Sequence, residues 1–377
     1  MAAVHRFSVV GALARDVRLI RRSAAVPVCR TVWLLLLTLL LQVVPAVHAG
    51  TDEGEAKADK SKYDTFTAYW ENDIFGGTDR DYTNGLRFTW STPYVLTPTD
   101  PRLPKWSAPW LKLLPDGGEN RRQAVSLSFG QSIYTPSDMS RAEPDPNDRP
   151  YAGYSYLAAS FHQRTDGVKT SWEIQVGIVG PLSFGEEFQN YTHDLLGNSR
   201  ARGWERQLKN EPGLMLIGER HWLLLHTAGD RGFNYDLIPH FGARLGNINT
   251  SINLGGELRL GWNLPRTFGT CPIRGGCESN IAFNDEDSRP GREGFDGLHL
   301  FIGVDGRAVF HDIFLDGNTW ADSQSVERET LVADFMAGVS LRYGRTTVTY
   351  SYVYRTKEFE TQSHQQLFGS LSLARTF

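Results

Sequence analysis

From Tyr63 to Phe377 the chain carries twelve strand-length segments in which apolar and aromatic residues alternate with polar ones. They are Tyr63–Asn72, Tyr82–Thr92, Gln123–Tyr134, Tyr151–Arg164, Thr170–Gly180, Gly213–His226, Gly232–Gly246, Ile248–Asn263, Gly297–Phe310, Arg328–Tyr343, Arg345–Lys357 and Gln365–Phe377. Each is long enough to cross a bilayer as a tilted strand, which takes roughly 9–11 residues. Past residue 49 no stretch approaches eighteen continuous apolar residues, so only a closed barrel could span a membrane here. Aromatics gather near segment ends, as in YWEN, FTW, YAGYSY, ERHW and YSYVY, the placement of the girdles at the two membrane interfaces. The expected fold is all-β: a transmembrane antiparallel barrel of about twelve strands. A soluble β-sandwich has the same periodicity, and the connections bear on the choice.

With strand one running outward, connections after odd strands lie outside and those after even strands lie in the periplasm. Several even connections are then short, among them Thr165–Lys169, Thr227–Arg231 and the turn near Gly344. Two are long, Pro93–Arg122 and Pro265–Asp296, and nothing in their sequence explains them. The same parity sends loop one (Asp73–Asp81), loop two (Thr135–Pro150) and loop three (Pro181–Pro212) to the outer rim, side by side.

Residues 1–49 combine six arginines, an apolar run through WLLLLTLLLQVV and the small-residue ending Val47-His48-Ala49, the pattern of a cleaved signal peptide. Residues 50–62 read as a charged tether, and 63–377 as the barrel. Without residues 1–49, which carry six basic residues and one acid, the formal charge of −4 becomes about −9, which argues against a nucleic-acid partner. Cys271 and Cys277, in CPIRGGC, are expected to close a small disulfide loop in an exported protein.

Gly180–Gly197, GPLSFGEEFQNYTHDLLG, reads as a short helix in loop three. Glu186 and Glu187 suit its positive N-terminus and Gly197 its end. Gln189 and His193, four apart, share one face, while Phe188, Leu195 and Leu196 can pack on another. A histidine so placed suits a general base, although a lone histidine is more often a solvated loop residue. Trp204 is read as an interface anchor.

Loop one and the start of strand two, Glu71-Asn72-Asp73 and Asp79-Arg80-Asp81-Tyr82-Thr83-Asn84-Gly85, are dense in oxygen ligands of the kind a hard cation such as Ca2+ takes, though the same residues also favour turns. In loop two Arg141 and Arg149 offer guanidinium groups to an anion, with a solvated charged loop as the plainer alternative. A Gly-x-Ser-x-Gly elbow is absent from the sequence, so a hydrolysis here would use activated water.

Together these blocks resemble the outer-membrane lipid A 3′-O-deacylases (LpxR-like), twelve-stranded barrels that use Ca2+ to remove the 3′-acyloxyacyl group. The resemblance rests on Glu71-Asn72-Asp73, Asp81-Tyr82-Thr83-x-Gly85-Leu86, Ile133-Tyr134-x-Pro136-Ser137, Asp148-Arg149, and Gly180-Pro181 followed by Gln189-Asn190-x-x-His193. It implies an outer-membrane hydrolase acting on lipid A or lipopolysaccharide in the outer leaflet, with His193 as general base and Gln189, Thr83 and Asn72 beside it. Asp73 and Asn72 would hold Ca2+, and Arg141 would meet a lipid phosphate. One departure is visible. Ser199 stands where the family pattern has a site glutamate, and Glu186, Glu187 or Glu205 are the candidate replacements. The competing functions are an outer-membrane phospholipase and a non-enzymatic barrel: a small porin, an adhesin or an inactive relative.

Overall fold

The computed structural model describes residues 64–76, 81–115, 118, 120–225, 232–282 and 294–377. The expected signal peptide and tether, Tyr63, the loop-one residues 77–80 and the turn at 227–231 lie outside the described residues. Twelve strands close into one antiparallel barrel: β1 Thr65–Asn72, β2 Asp81–Ser91, β3 Arg122–Thr135, β4 Ala152–Arg164, β5 Val168–Val179, β6 Glu211–Trp222, β7 Phe233–Gly246, β8 Asn249–Trp262, β9 Phe295–Asp312, β10 Leu331–Tyr343, β11 Thr346–Arg355 and β12 Gln366–Thr376. Each strand pairs with its neighbours in sequence, and β1 closes the ring on β12 from Thr65↔Thr376 to Asn72↔Gly369. Expected and observed strand ends differ by a few residues at most, the extent to which strand ends are fixed by pattern.

The alternation runs opposite to that of a soluble sandwich. On β5, Lys169, Ser171, Glu173 and Gln175 are buried, while Trp172 and Val176 are exposed. The outer wall repeats this with Phe88, Leu127, Leu157, Leu254 and Ile302, all exposed. Apolar side chains standing outside a wall of buried polar ones make sense only against lipid. The described residues contain no helix long and apolar enough to cross a membrane.

Ion pairs knit the lumen. Arg87 binds Glu173 (3.0 Å) and Glu278 (3.1 Å), Arg259 binds Asp236 (2.6 Å), and Arg355 binds Asp334 (2.8 Å). Buried charges persist only when paired and hydrogen-bonded in this way.

The long connection after β8 has its reason here: its first part turns into the barrel. Cys271 and Cys277 are disulfide-bonded, and the loop they close is held by the lumen wall. Ile273 N–H donates to Glu71 Oε1 (2.6 Å), Gly276 N–H to Glu173 Oε2 (2.9 Å), and Arg274 pairs with Asp305 (2.8 Å). At the opposite end a one-turn helix, Ile313–Asp316, packs Ile313 and Phe314 among Tyr154, Tyr156, Met215 and Ile248. A cavity of about 180 Å³ lies between, lined by Glu71, Arg274, Arg307, Asp334 and Arg355 among others. The lumen is therefore filled from both ends and crossed by ion pairs, unlike the open aqueous lumen of a porin.

The other long connection, after β2, stays outside. Its short helix α1, Ala108–Leu111, rests against the outer wall near the end of the barrel that carries both the start of β1 and the end of β12.

Candidate functional site on the outer wall

The loop-three helix forms as the sequence indicates: α2, Gly185–Leu196, with Glu186 and Glu187 in its first turn and Gly197 left-handed at its end (φ 74°). A 3-10 turn, Pro181–Ser183, leads into it. The helix lies on the outer side of the wall, not over the lumen. Gln131 and Ser155 share the outward parity of Phe129 and Leu157, and both side chains donate to Ser183 O (2.7 and 2.8 Å). Gly153, on the same face, touches Gly185. A Cβ at Gly153 would stand 2.2 Å from Ser183 Oγ and 3.0 Å from Gly185 Cα, so the two glycines let helix and strand meet backbone to backbone.

Gln189 and His193 share a face as expected, but each is only 2% exposed, so the polar pair is buried and is not held out in solvent. Phe188 packs with Ile133, Tyr151, Ala201 and Trp204; the Leu195 and Leu196 side chains lie outside the described residues. Trp204 corrects its sequence reading. It is 1% exposed, beneath α2, not at a membrane interface, and its Nε1–H donates to Gln189 Oε1 (2.7 Å). That bond fixes the amide orientation, and the Gln189 NH2 group donates to the Met139 thioether (3.2 Å), a weak acceptor.

The αL turn at Gly197 folds the chain back on the helix end, Asn198 N–H donating to His193 O (2.8 Å). Ser199 O thereby reaches the ring, and His193 Nδ1–H donates to it (2.6 Å). A carbonyl can only accept, so in the neutral ring the proton sits on Nδ1 and the lone pair on Nε2. Where a site glutamate was expected, the main-chain oxygen of Ser199 orients the imidazole. Glu187 and Glu205 are exposed, and Glu186 lies about two helical turns from His193. The Glu186 carboxyl is raised above its usual range by burial and by the negative charges of Glu187 and Glu205.

The loop-one residues reach the same wall from β1 and β2. Asn72, Asn84, Ile133 and Gly153 are direct cross-strand partners, one row over β1 to β4. Three strand spacings make that row about 14 Å long. Asn72 is buried, its Oδ1 accepting from Ile74 N–H (2.8 Å) and its Nδ2 donating to Asn84 (3.2 Å). Asp73, fully buried, opens a 3-10 turn over Asp73–Gly76 whose Phe75 lies against Gly369 of β12. Thr83 falls in a β-bulge between Tyr82 and Asn84, and its hydroxyl meets that of Thr135 (2.6 Å). A bulge re-aims the side chain of its extra residue, and here it sets Thr83 between the Asn72 and α2 borders of the strip.

Arg141 and Arg149 part company. Arg141 is exposed in loop two and pairs with Asp145 (3.3 Å). Arg149 is neither solvated nor open to an anionic ligand: its side chain is 1% exposed, bound to Glu358 (3.1 Å) and set over the Tyr134 ring. Among the described residues no three His, Cys, Asp or Glu side chains converge as a metal site.

A family model described as outer membrane protein LpxR matches residues 34–377. Among solved structures, LpxR from Salmonella typhimurium superposes with a TM-score of 0.65 at 21% identity, covering 83% of this chain and all of that one. The beta domain of the Bordetella autotransporter BrkA reaches 0.40 at 9% identity, over 84% of this chain and 100% of its own. No curated protein matches the sequence. With that family model spanning the whole barrel and the twelve-stranded fold shared with the Salmonella protein, this chain belongs to the LpxR family of outer membrane proteins.

Proposed function

We propose that the strip from Asn72 to α2 hydrolyses the 3′-acyloxyacyl ester of lipid A, in the outer leaflet, with His193 as general base. The observation that carries this reading is the fixed tautomer: Ser199 O holds Nδ1–H, which leaves Nε2 as the basic atom of a buried ring on a lipid-facing wall. His193 takes a proton from water as the oxygen attacks the acyl carbonyl, then returns it to the departing sugar oxygen, giving a free fatty acid and a hydroxyl. Gln189 supplies the hydrogen-bond donor for the developing negative charge. Trp204 keeps its NH2 group facing away from the indole, and a developing oxyanion is a far better acceptor than a thioether.

The donors present fit a hard cation in kind: an Asp73 carboxylate, an Asn72 amide oxygen and no sulfur. Asp73 and Asn72 would hold Ca2+, with main-chain, water or substrate oxygens completing the shell, and the ion would polarise the ester carbonyl. Thr83 lines the strip between, and Arg141, exposed in loop two, would meet a lipid phosphate.

The test is mass spectrometry of lipid A from outer membranes holding the wild-type chain or His193→Ala, with and without a calcium chelator. Loss of one acyloxyacyl unit, abolished by the substitution and by the chelator, is expected. Unchanged lipid A beside a folded wild-type barrel, with fatty acid released from glycerophospholipid, would make the enzyme a phospholipase instead.

A further inference from the structure

The segment after β2 has two apolar faces, and the barrel uses only one. Leu103, Leu111 and Leu114 are buried with Val95 of the same segment and with Val125 and Phe161 of the wall. Trp106, Trp110 and Leu113 remain exposed, Leu113 at 69%. The two indoles bracket the outward Phe161 ring, Trp110 stacked at 5.7 Å and Trp106 edge-on at 6.0 Å. The segment is firmly mounted as well: Gln123 Nε2 donates to Leu111 O (3.1 Å), and Gln163 to Pro115 O.

We propose that this segment is a lipid-interface anchor, its Trp106, Trp110 and Leu113 face immersed in the headgroup boundary of the phospholipid leaflet at the end of the barrel that carries the start of β1 and the end of β12. Three observations select lipid as the occupant. The face continues the lipid-facing belt, since Phe161 has the parity of Leu157 and lies on the strand beside Trp172. Its composition is that of an interface, tryptophans around an aliphatic side chain. Lys105 and Lys112, both exposed, flank it and match phosphate headgroups. The anchor would set the height of the wall in the bilayer, and with it the level at which the strip at the far end meets the opposite leaflet.

The proposal does not depend on the chemistry of that strip. A single label tests it: Leu113→Cys, carrying an environment-sensitive fluorophore, in the full chain purified from membranes and reconstituted into phosphatidylcholine vesicles. Wild-type protein serves as labelling control, Asp322→Cys in the exposed loop before β10 as water reference, and heat-modifiable migration as the check on folding. The expected result is blue-shifted emission, quenched at least twofold by lipids spin-labelled near the headgroup, with no such change at position 322. Water-like emission that ignores the quenchers overturns the anchor. A blue shift that grows with protein-to-lipid ratio and ignores the quenchers also overturns it, and identifies the face as a contact between barrels.

Discussion

Gly153→Ala isolates the part of the structure that holds α2 against the barrel. The new methyl would come within 2.2 Å of Ser183 Oγ and 3.0 Å of Gly185 Cα. Ordinary carbon contacts lie near ~3.5–4.0 Å, so the Ser183 hydroxyl must swing away and α2 must lift by about 0.5–1 Å. Swinging costs Ser183 its hydrogen bond to Gly180 O (2.6 Å), and lifting loosens the Gln131 and Ser155 bonds to Ser183 O. His193 and Gln189 move with the helix. Misplacement of a general base by about 1 Å costs on the order of 100-fold in rate, or about 2.7 kcal/mol of barrier. The twelve-strand ladder has no such clash to absorb and should stay closed. The assay is release of 3′-acyl groups from purified lipid A by refolded protein, with heat-modifiable migration to score the barrel. Gly306→Ala is the control, because there the nearest atom to a new Cβ is Leu254 O at 3.7 Å. A Gly153→Ala barrel that is folded and works within threefold of wild type would refute the glycine contact as the positioning device.

Trp204→Phe keeps an aromatic ring under α2 but removes the N–H that fixes the Gln189 amide. We expect kcat for lipid A to fall about tenfold, the scale of one lost hydrogen bond of ~1.4 kcal/mol, with KM nearly unchanged; an equal rise in KM would mean that Trp204 merely shapes the binding surface. Arg149→Met leaves Glu358 with Arg355 (3.3 Å) as its remaining partner and should lower stability by about 1–3 kcal/mol, read as a lower urea midpoint for barrel unfolding; an unchanged midpoint contradicts the strut. Burial pushes the Glu358 carboxyl up, but Arg355 and Arg149 outweigh it and hold its pKa below the usual range. A depressed folded pKa stabilises above the unfolded value, about 4.3, and that contribution is lost as pH falls through the folded one, so the urea midpoint should drop on acidification below about pH 4 and less so in Arg149→Met.

The barrel was legible because its code is local. A period of two with apolar residues on one face marks each strand whatever its partner, and the connection parity then groups loops one to three. Gln189 and His193 were legible for a similar reason, four-residue spacing on a helix with acids at its start and glycine at its end. What escaped depends on contacts distant in sequence or on atoms that every residue shares. Nothing in CPIRGGC says that it will enter the lumen, because the groups that receive it, Glu71 and Glu173, belong to strands β1 and β5. Trp204 looked like an interface residue because its burial comes from α2 folding over it. Arg149 looked solvated because Glu358 lies 209 residues away. Ser199 looked like a lost ligand because its contribution is a carbonyl oxygen, which no letter of the sequence encodes.

The filled lumen and the sideways-facing strip together set the dimensionality of the encounter. On the function proposed above, the reactant would not travel through the barrel or arrive from solution; it would diffuse within the leaflet and meet the strip edge-on. The concentration that matters is then a mole fraction among neighbouring lipids. Diluting the vesicles in buffer should leave turnover per barrel unchanged, while diluting the substrate with inert lipid should slow it.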